Sequence, residues 1–420
     1  MVKVLFTTPE LRHPAAGGPY LRVENSIKAL SLISDLYIYS RVSLSALGGR
    51  NALSFYKQFC RAFYFAPFVA SQNCYVEFII KAGNFLFRQI TKRNIFPDHQ
   101  FQERDAQDLL NRARDTEADV IWLGYGNVSY PLLKYIKSHS DYKVVLDTDS
   151  VWSRFVLRGL DFVHDKEERL RKEIEGKQKE EEERWGTQLA DVTTAVSEVD
   201  ADYYRNLAHQ AQQIHIFSNV IDVETYRQIP PMPDNFKKPS IYLAGTFWSR
   251  SPMEDAARWV NAEILPLVRQ QIPNVHFYII GNGSNRVLSD IDDPSITVTG
   301  LIPSVLPYLC HADVALVPLR FESGTRFKIL EAGACSIPVV STTLGAEGLT
   351  VTHGKDILLA DEPGSFANSI IKLVKNHDLA LELAGNLRTL VQKKYSVASL
   401  AKEGSLILDY LIGKPSSGVI

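Results

Sequence analysis

Residues 316–349 read LVPLRFESGTRFKILEAGACSIPVVSTTLGAEGL. An apolar run closes at Val317–Pro318, and a loop carrying Ser323, Gly324 and Thr325 follows. Helical spacing runs from about Arg326 to Cys335, and IPVVST returns to the short apolar run of a strand. Strand, loop, helix and strand with short connections form the repeating unit of a parallel, doubly wound α/β sheet. The start of such a helix is an anion site. Its first amides lack partners, its dipole is positive there, and Gly324 allows close approach. Arg326 and Lys328 add cationic donors suited to a diphosphate. Glu331, one turn further, can accept hydrogen bonds from sugar or ribose hydroxyls. A nucleoside diphosphate satisfies all three features together.

The same alternation extends in both directions. SIYLAGTF, VHFYIIGNG, SITVTGL and DVALVPLR read as strands before the block, with MEDAARWVNAEILPLVRQQ as a helix, and DILLAD as a strand after it. FANSIIKLVKNH, LALELAGNLRTLVQKK and SVASLAKEGSLILDYLIG close the chain as helices. The stretch IPPMPDNFKKP, residues 229–239, carries four prolines and reads as a linker. Before it lies a second α/β pattern. It opens with the strand Val2–Phe6, the turn at Gly17–Gly18–Pro19, and a helix with Val23, Ile27, Leu30 and Ile33 on one face. LYIYSRV, DVIWLG (119–124) and KVVLDTD (143–149) read as strands, and TTAVSEVDADYY as a strand entering a helix capped by Ser197. Two α/β halves, 1–228 and 240–394, joined by a Pro-rich linker imply a cleft, with a ligand beyond the carboxyl ends of the strands.

Composition narrows the function further. At ~150 residues per domain, 420 residues make two or three domains. The formal charge of −2 argues against a protein that coats nucleic acid. Four cysteines without a C-x-x-C pair exclude a disulfide scaffold and a structural zinc finger, and fit a reducing cytosol. With no run of ~18 apolar residues, the expectation is a soluble cytoplasmic chain. Residues 41–104 hold nine Lys or Arg against three acids, and thirteen Phe or Tyr fall between Phe55 and Phe101. That composition suits buried helices of the first domain, or a helix docking on anionic lipid. The highly charged run Glu167–Arg184 reads as one long helix with a water-facing surface.

The 316–349 block resembles the donor site of retaining GT-B glycosyltransferases of family four, the glycosyl transferases group 1. It is most similar to a bacterial exopolysaccharide branch patterned G-G-G-T-R-x-K-I-L-E-A-M-A-x-G-x-P-V-V-S-T-x-x-G-x-E-G-L. The similarity runs through residues 240–362 and is scattered in the first half. It implies a GT-B fold: two Rossmann-like, doubly wound domains facing across a cleft, with residues 395–420 returning to the N-terminal domain. It implies donor contacts from Gly17, Gly18, Gly245, Gly281, Leu301, Ile302, Ser323, Gly324, Thr325, Glu331 and Glu347, with Glu331 on the ribose. Leu301 and Ile302 would offer backbone contacts to the base. Arg250, Arg326 and Lys328 would neutralise the departing phosphate. Tyr125, Asn127, Asp147 and Asp149 would line the acceptor side. Asp147-x-Asp149 also has the spacing of a metal-holding pair, but cations at the donor site make a metal dispensable, so no metal and no cofactor are expected. The chain departs from the larger family at Ser323, which replaces a first glutamate, and at Asn219–Asp222, which lacks a glycine. GTFWSRSP offers only Arg250 where many members place an Arg and a Lys. His13, His139 and His164 do not occupy the position where many relatives carry a histidine.

The resemblance implies transfer of a hexose from a nucleoside diphosphate sugar to a glycan or lipid-linked acceptor, with retention. The setting would be cell-surface polysaccharide or lipopolysaccharide assembly in the cytoplasm, with peripheral contact at the inner face of the membrane. Two alternatives stay open: a GT-B nucleotide-sugar epimerase, and a non-catalytic nucleotide-binding scaffold.

Overall fold

The computed structural model describes residues 1–70, 101–209 and 213–413. The expectations for 71–100 lie outside the described residues. The first domain is a sheet of seven parallel strands, β1 (Val2–Thr8), β2 (Ser34–Ser40), β3 (Ala62–Phe65), β4 (Val120–Gly124), β5 (Lys143–Asp147), β6 (Val192–Ala195) and β7 (Ile214–Ile216). Their spatial order is β3-β2-β1-β4-β5-β6-β7. The second domain holds six: β8 (Ser240–Ala244), β9 (His276–Ile280), β10 (Ile296–Val298), β11 (Val314–Val317), β12 (Val339–Ser341) and β13 (Leu358–Leu359). Their order is β10-β9-β8-β11-β12-β13. The strands are short continuous apolar runs because helices cover both faces of a parallel sheet; β4, VIWLG, is buried along its whole length.

Strand order reverses between β1 and β4 in one sheet and between β8 and β11 in the other. Loops leaving neighbouring strands diverge at such a switch point and open a crevice. The loops after β1, β4, β8 and β11 are therefore the ones placed to meet a ligand, with that after β5 beside them.

Two segments tie the halves together. The helix Val397–Leu411, capped by Ser396, lies back on the first domain, where Leu30, Ile33 and Phe217 close over Gly404. Glu403 accepts hydrogen bonds from Ser218 N (2.7 Å) and Ser218 Oγ (2.9 Å). The charged helix spans Lys166–Leu189, capped by Asp165. Its outer face meets water, but its inner face does not, because Leu157 packs over Gly176 and Tyr130 over Gly186. Glu183, only 1% exposed, accepts from Ser153 N (3.1 Å) and from the Ser153 hydroxyl. Burial pushes its carboxyl up to about 7.

Candidate functional site

The helix Phe327–Ala334 begins where the loop from β11 turns toward the first domain. Gly324 has φ 76°, and a β-carbon there would stand 2.8 Å from Ser150 Cβ and 3.1 Å from the Asp149 carbonyl oxygen. Only glycine passes that point without strain. Val151 N donates to Ser323 Oγ at 3.3 Å, so the loop is pinned across the cleft.

Arg326 precedes the helix with its side chain 5% exposed. One guanidinium nitrogen donates back to the Ser323 carbonyl (2.7 Å) and to that of Gly324. Its Nε and second Nη, together with Thr325 Oγ1, are buried without a hydrogen-bond partner among the described residues. Burial lowers the Arg326 pKa, while Glu322, Asp200 and Glu347 oppose the shift. Burial likewise lowers Lys328. Its Cε lies 3.1 Å from where a β-carbon on Gly245 would sit, so the ammonium lies near the end of β8. No hydrogen bond or ion pair of Lys328 occurs among the described residues. Leaving the Thr325 and Arg326 donors dry and unpaired costs several kcal/mol. An oxyanion at the helix start would remove that cost.

Glu331 accepts from Tyr226 Oη at 2.9 Å, and burial raises its pKa. Tyr226 ends the 3₁₀ turn Val223–Tyr226, just before the linker. Gly245 N donates to Ile280 O at 2.9 Å, and Gly281, at φ 129°, lies so close to the Gly245 carbonyl that a β-carbon would overlap it. Leu301 is 76% exposed and Ile302 partly buried in the loop after β10. From the first domain, the Gly17–Gly18 turn meets the anion helix, with the Phe327 ring 3.4 Å from the β-carbon position of Gly18.

Opposite the anion loop stands a wall built on β4 and β5. Asn127 Oδ1 accepts from Asp149 N (3.1 Å), and its Nδ2 donates to Ser150 O (2.8 Å). The Asp149 carboxylate accepts from Trp152 Nε1 (3.2 Å), and burial pushes it up to about 6. Tyr125 sets its ring edge-on to Trp152, with centroids 6.0 Å apart. Asp147 is placed differently. At 1% exposure it accepts from Arg22 Nη2 (2.5 Å), Trp122 Nε1 (3.0 Å) and Thr194 Oγ1 (2.9 Å), which engages the carboxylate within the first domain. Among the described residues no group of three His, Cys, Asp or Glu is arranged to hold a metal.

Two other residues singled out from sequence sit at the domain seam. The Arg250 guanidinium, 60% exposed, pairs with Glu168 of the charged helix, and no described contact joins it to Arg326 or Lys328. Glu347 holds Arg158 with two bonds (2.7 and 2.9 Å) and Arg154 at 3.3 Å, both from the first-domain helix Trp152–Arg158. Burial pushes the Glu347 pKa up, but Arg158 and Arg154 outweigh it and hold it below the ordinary value. Arg154 also donates to Asp200 (3.0 Å) and Arg158 to the Glu322 carbonyl (3.0 Å), beside the anion loop. Arg154, Arg158, Tyr226 and Trp152 were not singled out from sequence. The i,i+4 spacing of the two arginines, just after a strand's carboxyl end, is the signal that could have found the pair.

Comparison with known proteins adds three results. Residues 238–376 match the family model described as Glycosyl transferases group 1. Over 146 residues the chain is 27% identical to an uncharacterised 44.6 kDa protein in the cps region of Klebsiella pneumoniae. That match covers 33% of this chain and 38% of the relative, so the chain spans under two-fifths of the curated protein it matches. Among solved structures, sucrose-phosphate synthase from Thermosynechococcus elongatus superposes with a TM-score of 0.68 at 16% identity, covering 98% of this chain and 100% of that one. Anabaena HepE in complex with UDP-glucose gives 0.63 at 13% identity, covering 97% and 100%. The fold is GT-B. A variant of S. aureus TarM in complex with fondaparinux, α-GlcNAc-glycerol and UDP gives 0.65 at 13%, covering 97% and 100%. In this GT-B chain the family match takes in all of β8–β13 and the anion loop. Gly17, Asp149, Arg154, Arg158 and Tyr226 come from outside it.

Proposed function

We propose that the chain is a glycosyltransferase that moves a hexose from a nucleoside diphosphate sugar to a glycan or lipid-linked acceptor, with retention. The observation that carries this reading is the set of buried, unpartnered donors at the start of Phe327–Ala334, Thr325 Oγ1 and Arg326 Nε and Nη2, with the half-buried Lys328 in the first turn of the helix. A diphosphate bound there would accept from these groups and from the Gly324 and Thr325 amides, with Glu331 holding the ribose. The bond from the anomeric carbon to the β-phosphate oxygen breaks, and the cations stabilise the charge left on the diphosphate. The acceptor oxygen attacks from the leaving group's side, and its proton passes to a phosphate oxygen. Arg326 and Lys328 supply the positive charge that a divalent cation supplies elsewhere, so no metal takes part in this reading. The acceptor enters along Tyr125 and Asp149, while Asn127, 1% exposed with both amide atoms bonded to the 149–150 backbone, holds that wall from behind. Asp147 takes no part, and Arg250 stays on the rim with Glu168.

UDP-sugars are the first donors to try, since the HepE and TarM structures hold UDP or UDP-glucose. The match to a cps-region protein supports a polysaccharide acceptor. Approach to a lipid-linked acceptor from the cytoplasmic face rests on segment 41–104. Among the described residues no helix is long and apolar enough to cross a membrane. Flotation with anionic liposomes tests that part, and a chain left at the bottom of the gradient removes it.

Incubation with UDP-, GDP- and ADP-sugars tests the whole. Nucleotide release that rises when glycan or lipid-linked acceptor is added supports transfer. Isomerised donor without release supports an epimerase. Tight nucleotide binding without turnover supports a scaffold.

A further inference from the structure

Cys310 and Cys335 lie 25 residues apart in sequence with their sulfurs 3.5 Å apart. Both thiols are free and half-buried. Cys310 belongs to the helix Leu306–His311, and Cys335 closes the helix Phe327–Ala334, where its amide bonds to the Glu331 carbonyl at 2.9 Å. Each helix also anchors the chain between the domains. His311 meets the Pro230 carbonyl at 2.8 Å, and Glu331 holds Tyr226. The pair therefore sits on two helices that each hold the interdomain segment, at Pro230 and at Tyr226.

We propose that Cys310 and Cys335 form a reversible disulfide, a modification site at the hinge between the domains. The reaction needs a disulfide oxidant such as oxidised glutathione. The Cys310 thiolate attacks one of its sulfurs, forming a mixed disulfide and releasing one glutathione. The Cys335 sulfur then attacks the Cys310 sulfur, its proton leaving with the second glutathione. Two protein thiols and one oxidised glutathione thus give one protein disulfide and two reduced glutathiones. The close contact with Cys335 lowers the Cys310 pKa, which suits Cys310 as the attacking group. The same contact, with burial, raises Cys335, so it enters second.

Bond formation draws the sulfurs from 3.5 Å to about 2.05 Å. Two helix ends that meet without a covalent link become joined, and the last turn of the anion helix, which carries Glu331, moves with the bond. The consequence for nucleotide affinity rests on the functional reading above; the disulfide itself does not.

Reduced full-length protein, equilibrated in glutathione buffers of increasing oxidising power, alkylated and peptide-mapped, tests the proposal. Peptides holding Cys310 and Cys335 become joined, separate again with dithiothreitol, and stay apart in Cys310→Ala and Cys335→Ala. UDP titration of the oxidised wild type gives several-fold weaker binding, while Cys310→Ala binds equally in both buffers. Cys310 and Cys335 alkylated singly at every ratio, or joined instead to Cys60 or Cys74, would overturn the pairing. Equal UDP affinity of the oxidised and reduced wild type would overturn the hinge effect. Failure of the reduced wild type to bind UDP would refute the functional reading and leave the peptide map decisive for the disulfide.

Discussion

Replacing Lys328 by methionine separates what the side chain does for ligand from what it does for the fold. Lys328 is half-buried, forms no ion pair among the described residues, and has its pKa lowered by the loss of water around it. Methionine keeps the length of the stem and removes the charge, so the unliganded second domain gains stability. For a domain of this size each kcal/mol regained raises Tm by about 2–4 °C. UDP binding moves the other way. A hydrogen bond to a charged group contributes about 2 kcal/mol, so affinity falls roughly thirtyfold. The two effects also part company with pH. The folded lysine loses its proton below the ordinary value of 10.5, and the unfolded chain binds more protons in that interval. Stability of the unliganded wild type therefore rises as pH climbs through it. UDP affinity falls over the same interval, and the methionine variant shows neither slope. Thermal shift and isothermal titration calorimetry measure both quantities on one preparation. A variant that loses stability and binds UDP as well as the wild type would refute the assignment, because the ammonium would then be structural.

Glu183 gives a second pH effect. Its folded carboxyl titrates at about 7 against an ordinary 4.5, so its protonated form contributes stability below 4.5 that is lost as pH rises toward 7. Tm against pH over that range should be flatter in Glu183→Gln. Arg158→Ala removes the two-bonded contact to Glu347 across the cleft, a loss of about 1 kcal/mol for a half-buried pair. Small-angle scattering should show a larger radius of gyration, and high salt should bring the wild type toward it. Gly324→Ala puts a β-carbon into Ser150 at a positive φ and costs about 1–3 kcal/mol. Tm and UDP affinity should fall together, and an unchanged UDP affinity would show that the loop does not need to reach the first domain.

The sequence carries local order well and distant pairing poorly. β11, the loop at Gly324 and the helix Phe327–Ala334 are legible because the strand-to-helix switch, the glycine and the cations fall within a dozen neighbouring positions. β3 was not read as a strand. AFYF sits in an aromatic-rich stretch where period-2 and helical spacing look alike, and its partner is β2. Glu347 was read as a donor contact because its partners, Arg154 and Arg158, stand 193 and 189 positions away. Arg250 and Glu168 are likewise joined only by the fold. Asp147 and Asp149, two residues apart, take opposite roles. The Asp147 carboxylate lies beneath the cleft with Arg22, while that of Asp149 accepts from Trp152 and its backbone carbonyl faces Gly324, a distinction set by the end of β5 and not by the D-x-D spacing. Glu183 was lost in a run of exposed acids, since nothing local marks the turn that faces Ser153.

Diffraction from a crystal of the full chain grown with UDP tests the central claim most directly. The account predicts the diphosphate at the head of Phe327–Ala334, within hydrogen-bond distance of the Thr325 amide, the Arg326 guanidinium and Lys328 Nζ, with the ribose on Glu331. A diphosphate bound elsewhere while those donors stay in the same buried arrangement would contradict it.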